Sequence, residues 1–169
     1  SHEPGRRGAE DGMQKSLALS VIVNGRCSQL HQAINEIRET KSQLASLHKR
    51  FSANDQLKPA LAAAAEMEKM MSVVEGQLMQ VNMKSSEGNL VFPNKLNERF
   101  DSFSHTIDGA FAPPTQPQYE LFKQLSGELD AQLGKWAQLK KDEVPKISAA
   151  IKKLDLPVVM VKPAPGGPL

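Results

Sequence analysis

Apolar residues recur at helical spacing along most of this chain. Val23, Cys27, Leu30, Ile34, Ile37, Leu44 and Phe51 succeed one another at intervals of three, four or seven, the seam of a long helix packed on others. Residues 13–51 contain no proline and one glycine, Gly25, so the pattern predicts one unbroken helix of roughly 57 Å at 1.5 Å per residue. Lys41 and His48 fill the two positions where the seam turns polar. Residues 1–12, with Gly5, Gly8 and Gly12 among mixed charges, read as a disordered leader.

Ser52, Asn54 and Asp55 then offer N-caps, and Pro59 falls in the first turn of the next helix, where a missing N–H costs nothing. This second helix is expected from Leu57 to about Met83, with Leu61, Ala65, Met67, Met70, Val74, Leu78 and Val81 as its apolar face. Its alanine run at 62–65 allows a neighbour to approach closely. Residues 84–92 read as a loop around Gly88, and Pro93 can open a third helix. Leu96, Phe100, Phe103, Ile107 and Phe111 form the stripe of that helix.

Gly109 and the pair Pro113-Pro114 break the chain again. Thr115 and Gln118 have the spacing of a capping box, in which each side chain satisfies the other's backbone N–H. The fourth helix carries Phe122, Leu125, Leu129, Leu133, Trp136 and Leu139. Pro145 should kink or restart it, because the proline removes one backbone donor and crowds the preceding turn. Ile147, Ile151 and Leu154 continue the apolar face. Residues 157–169 are rich in proline and glycine and cannot be helical; Pro157, Val158, Val159, Met160 and Val161 make a short extended candidate.

Four amphipathic helices on short loops predict an all-α fold, an antiparallel up-and-down four-helix bundle with a long first helix and a kink near Pro145. The expected domain spans residues 13–156, between the leader at 1–12 and the tail at 157–169. Composition agrees with this class. At 169 residues the chain can bury a core without disulfide or metal, and with 5% aromatic residues that core must be filled by aliphatic side chains, which suits helix packing.

Charge narrows the partners. Lysine and arginine number 21 against 19 acidic residues, a net charge of +2, without the basic stripe of a nucleic-acid binder. Lys135, Lys140, Lys141, Lys146, Lys152 and Lys153 crowd the end of the fourth helix, where they complement its dipole, and Asp142 and Glu143 interrupt the run. No stretch of 18 apolar residues exists to span a membrane. Residues 1–12 lack the apolar core of a secretory signal. The lone Cys27 permits no internal disulfide.

Candidate chemistry is sparse. There is no phosphate-binding glycine loop, no G-x-S-x-G and no H-E-x-x-H. None of His2, His31, His48 and His105 comes three residues after a glutamate, the signature of di-iron bundles. The carboxylate pairs Asp142 with Glu143 and Glu36 with Glu39 lie off the apolar seams and read as solvated charge. Cys27, on the seam, reads as a small buried hydrophobe. Met67, Met70, Met71, Met79 and Met83 read as adaptable packing, with a groove for a partner helix as the sharper alternative. The sequence therefore yields no catalytic, cofactor-binding or metal-binding residues and no cofactor.

Residues 89–133 resemble a known region. An aromatic-proline pair before a Leu-Asn helix start (Phe92, Pro93, Leu96, Asn97) precedes a Pro-Thr turn (Pro114, Thr115) and a helix with Phe122, Leu125, Leu129 and Leu133. The stretches 17–20 and 33–44 upstream, and Leu154, Asp155, Leu156 and Pro157 downstream, are also similar. Together they resemble the C-terminal helical region of large secreted bacterial BNR-repeat glycosyl hydrolases, also described as sortilin-like β-propeller proteins. The likeness covers roughly residues 14–159. The propeller's Ser-x-Asp-x-Gly-x-x-Trp repeat is absent here, so no functional residue carries over. The resemblance implies a secreted or periplasmic setting and a partner in the propeller of a parent chain or in another protein.

The leading functional reading is a non-catalytic helical accessory or interaction domain. A self-associating structural bundle, a homo-oligomer, is the alternative. A small metal-binding or enzymatic bundle ranks third.

Overall fold

The computed structural model describes residues 4–81, 94–154 and 159, and every regular element among them is helical. The elements are α1 (Pro4–Phe51), a 3-10 turn (Asp55–Leu57), α2 (Lys58–Leu78), α3 (Leu96–Ile107) and α4 (Gln116–Lys152). The expected loop at 84–92, the helix opening at Pro93 and the tail at 157–169 lie outside the described residues, Val159 apart.

α1 starts at Pro4 rather than near Met13. Gly5, Gly8 and Gly12 all lie within it, so the expected disordered leader is corrected to helix from Pro4 onward. Tertiary contact overrides the glycine cost at one of these positions: Gly12 is buried where Pro113 packs against it. The seam itself matches its spacing. Val23, Leu30 and Ile37 are fully buried, and Ile34, Leu44 and Phe51 nearly so, each burial contributing about 1.5–3 kcal/mol.

Asn54 caps the short turn, its side chain accepting from the Gln56 N–H at 3.0 Å. The chain runs from there into α2, with Pro59 in the first turn. The buried face of α2 is Ala60, Leu61, Ala64, Met67, Met71, Val74 and Leu78. Ala65, Met70 and Val81, expected on that face, are exposed instead. Leu61, Met67, Val74 and Leu78 keep their expected places, Ala60, Ala64 and Met71 are buried in place of Ala65 and Met70 because alanine and methionine occur on both sides of this helix, and Val81 lies past the helix end at Leu78.

α3 ends at Ile107, and Gly109 comes next but one with φ of 73°, the left-handed conformation that glycine adopts without strain. Phe111 therefore leaves the helical stripe and stands 77% exposed. The capping box of α4 is formed: Thr115 Oγ1 accepts from the Gln118 N–H at 3.3 Å, and Gln118 accepts from the Thr115 N–H at 2.8 Å. α4 does not restart at Pro145; it is helical on both sides, with the exposed proline inside.

Contacts between elements set their directions. Arg26 meets Asp130 and Glu36 meets Lys140, so α1 and α4 run the same way. Asn24 accepts from Ser104 and His31 meets Asn97, so α3 runs against α1. Arg38 reaches Glu75, while Phe51 clusters with Leu57, Ala60 and Leu61, so α2 also runs against α1. α2 and α3 thus descend one after the other along α1, meeting where Glu98 accepts from the Gln80 N–H at 3.2 Å and the Lys95 N–H at 2.9 Å.

The all-α class and the four helices stand, but these contacts describe three columns rather than four. The reason is length. α2 and α3 together have 33 helical residues, about 50 Å at 1.5 Å per residue, close to the 37 of α4. Neither alone could cover the 48 residues of α1. The main core lies between the columns and includes Val23, Ile37, Met71, Phe100, Leu129 and Trp136. A smaller cluster around Phe51 closes one end, with Ala150, Ile151 and Leu154 against it.

Candidate interaction surface

The segment Leu17, Ala18, Leu19, Ser20, Val21, Ile22, Val23 is the most continuously apolar run of α1, and a helix apolar all round is one that expects cover all round. Its inner side has that cover. Leu19 and Val23 are buried, as are Ser16 and Ser20. Ser16 Oγ donates to the Ile107 carbonyl at 3.2 Å, and Ser20 Oγ donates to the Asp108 carboxylate just past α3. These hydroxyls let a polar position sit at a dry interface without an unpaired group.

The outer side has no such cover. Met13, Leu17, Val21 and Ile22 are 46, 64, 64 and 53% exposed. Met13, Leu17 and Val21 are spaced by four and so stand one above another. Phe111 lies beside them: with Met13, Leu17, Ser16, Ser20, Ile107, Gly109 and Ala110 it lines a recess of about 280 Å³. Gly12 makes the approach of that loop possible. A Cβ there would stand 2.7 Å from Pro113 Cδ and 3.2 Å from the Phe111 carbonyl oxygen. Sequence reasoning missed this surface because the seam it traced begins at Val23, and only the placement of α3 on the other side reveals Leu17, Val21 and Ile22 as an outer face.

Two shallower grooves flank α4. One of about 430 Å³ lies between α2 and α4, with Met70, Val73 and Leu139 in it and Lys135, Asp142 and Glu143 on its rim. The other, about 390 Å³, lies between α3 and α4 beside Phe103, Leu121 and Leu125. The Asp142–Glu143 pair is thus a groove rim. Asp142 accepts from Gln138, and Glu143 pairs with Lys146. Met67 and Met71 are fully buried, whereas Met70 faces the groove; Met83 lies outside the described residues.

The polar residues singled out in the sequence do not converge. Glu36 and Glu39 separate: Glu39 accepts from exposed Gln43, while half-buried Glu36 accepts from Trp136 Nε1 at 2.8 Å and from Lys140 Nζ at 3.1 Å. The Trp136 hydrogen bond first, and then that of Lys140, hold the Glu36 carboxyl below the usual carboxylate range. Lys140 also stands 5.3 Å over the Trp136 ring. Half-buried Cys27 is pushed up by burial and further by the charges of Asp101 and Asp108, which disfavours its thiolate form.

His31 bonds Asn97 at 2.8 Å, His48 is exposed, and His2 lies outside the described residues. Fully exposed His105 is raised by its bond to the Asp101 carbonyl and by the Asp101 charge. One buried carboxylate has no signature in the sequence. Glu75 sits within α2 and receives Arg38 and Lys41, each at 3.2 Å, tying α2 to α1 and explaining the polar interruption of the seam at Lys41. Among the described residues no three His, Cys, Asp or Glu side chains gather in a way that could hold a metal ion, and no helix is long and apolar enough to cross a membrane.

No family model, curated protein or solved structure matches this chain.

Proposed function

We propose that this chain is a non-catalytic helical accessory domain that works by binding another protein surface through the outer face of α1. The observation that carries the reading is the exposure of Met13, Leu17, Val21 and Ile22 in one of the most apolar runs of the chain, alongside exposed Phe111. Together these side chains show on the order of 600 Å² of apolar surface, the upper end of the largest patch on a typical monomer, and patches of that size are commonly binding sites. The polar groups point the same way. Glu36, Glu75 and Asp130 are each engaged by cations holding helices together, which is structural rather than chemical work.

The setting proposed for this domain is the C-terminal part of a secreted or periplasmic BNR-repeat propeller protein, on the strength of the residue pattern between 14 and 159. In that setting the propeller carries any glycosidase chemistry and this domain positions it. Two measurements test the reading. The isolated domain should turn over no glycoside; turnover abolished by a single substitution within it would overturn the non-catalytic assignment. The coding region upstream should encode blades with Ser-x-Asp-x-Gly-x-x-Trp repeats; a different kind of domain there would remove the propeller setting.

A further inference from the structure

Resting on that reading of α1, we infer that the occupant of the exposed face is the same face of a second copy, giving a two-fold, antiparallel α1–α1 dimer. Shape supports this first. The patch has a raised half, Val21 and Ile22 on the open helix, and a hollow half, the recess of about 280 Å³ beside Met13 and Phe111. A two-fold axis near Leu17 and Ala18 sets the raised half of each copy over the hollow half of the other. An isologous interface needs such self-complementarity, because the two contacts are made twice by one operation.

Charge supports it next. In this register Arg6 lies opposite Gln29, Arg7 opposite Ser28, Glu10 opposite Gly25 and Asp11 opposite Asn24. Along α1 no like charges face each other in this register. Gly25 has nothing within 4 Å of where a Cβ would stand, and with Ala18 it leaves room for a second helix at the usual 8–10 Å axial distance.

Area sets the strength. Two such patches can bury at most about 1,200 Å² in total, the lower edge of a specific interface. The dimer is therefore reversible rather than obligate, and the domain folds without it.

Sedimentation velocity over a concentration series tests the pairing directly. Wild type should pass from monomer to dimer and stop there, and Leu17→Glu with Val21→Glu should weaken the association at least about tenfold. Site-specific oxidation then fixes the register. In a Cys27→Ser background, Ala18→Cys near the axis should form a disulfide dimer, while Gln43→Cys far along α1 should not. A monomer at every concentration, a ladder of larger species, or cross-linking at Gln43 in place of Ala18 would each overturn the pairing. The broader interaction reading fails separately: it is lost if the Leu17→Glu, Val21→Glu protein unfolds at dilutions where wild type is monomeric, since the face would then belong to the domain's own interior.

Discussion

At the scale of single residues, buried or half-buried carboxylates do the work of joining helices. Glu36 accepts from the Trp136 indole and from Lys140 across the α1–α4 contact. Its folded-state pKa is depressed, so it contributes stability above its unfolded value near 4.5, and that contribution is lost as pH falls through the lower folded value. Glu36→Gln should therefore flatten the decline in melting temperature below about pH 4.5 relative to wild type. Parallel decline in both proteins would remove Glu36 from the account. Glu75 is the second case. Glu75→Ala strips a partner from half-exposed Arg38 and from mostly covered Lys41, so a loss of about 1–2 kcal/mol is expected by denaturant unfolding. Neither role is legible in the sequence, because a glutamate beside a seam looks the same whether or not the next helix brings a tryptophan or a lysine to it.

At the scale of elements, glycine and proline make opposite predictions at positions that look alike in sequence. Gly12→Ala brings a Cβ to 2.7 Å from the Pro113 ring and 3.0 Å from its backbone nitrogen, so the loop after α3 must move. Gly25→Ala meets nothing and gains the helix preference of alanine, about 0.5–1 kcal/mol. Thermal unfolding at dilutions where the chain is monomeric should rank Gly25→Ala above wild type, and faster amide exchange around Phe111 should mark Gly12→Ala. Pro145 is exposed inside an unbroken α4, and its missing donor is still a cost. Pro145→Ala should raise stability by about 1–3 kcal/mol in urea unfolding. The existence of the helices and their seams is legible in the sequence because each comes from local spacing. The start of α1 and the face of α2 are not: the glycines of residues 1–12 read as disorder, although Gly12 lies under Pro113 within the helix, and the face of α2 depends on which of several equivalent alanines and methionines meets α4.

At the scale of the molecule, the helices share the length of α1 in an order that spacing alone does not encode. α2 and α3 each carry a complete apolar stripe, and nothing in either says that they stand end to end rather than side by side. Once they do, α3 covers the inner side of residues 16–23 and leaves the outer side open. One helix is thereby divided into a core face and a binding face, and the proposed interaction depends on that division. Its most direct test is urea unfolding of two double variants at concentrations where the chain is monomeric. Leu17→Glu with Val21→Glu should leave the midpoint nearly unchanged, within about 0.5 kcal/mol for surface positions. Leu19→Glu with Val23→Glu, two residues along on the same helix, should abolish cooperative folding, since both side chains are buried. Equal loss of stability in the two proteins would contradict the assignment of an open face to α1.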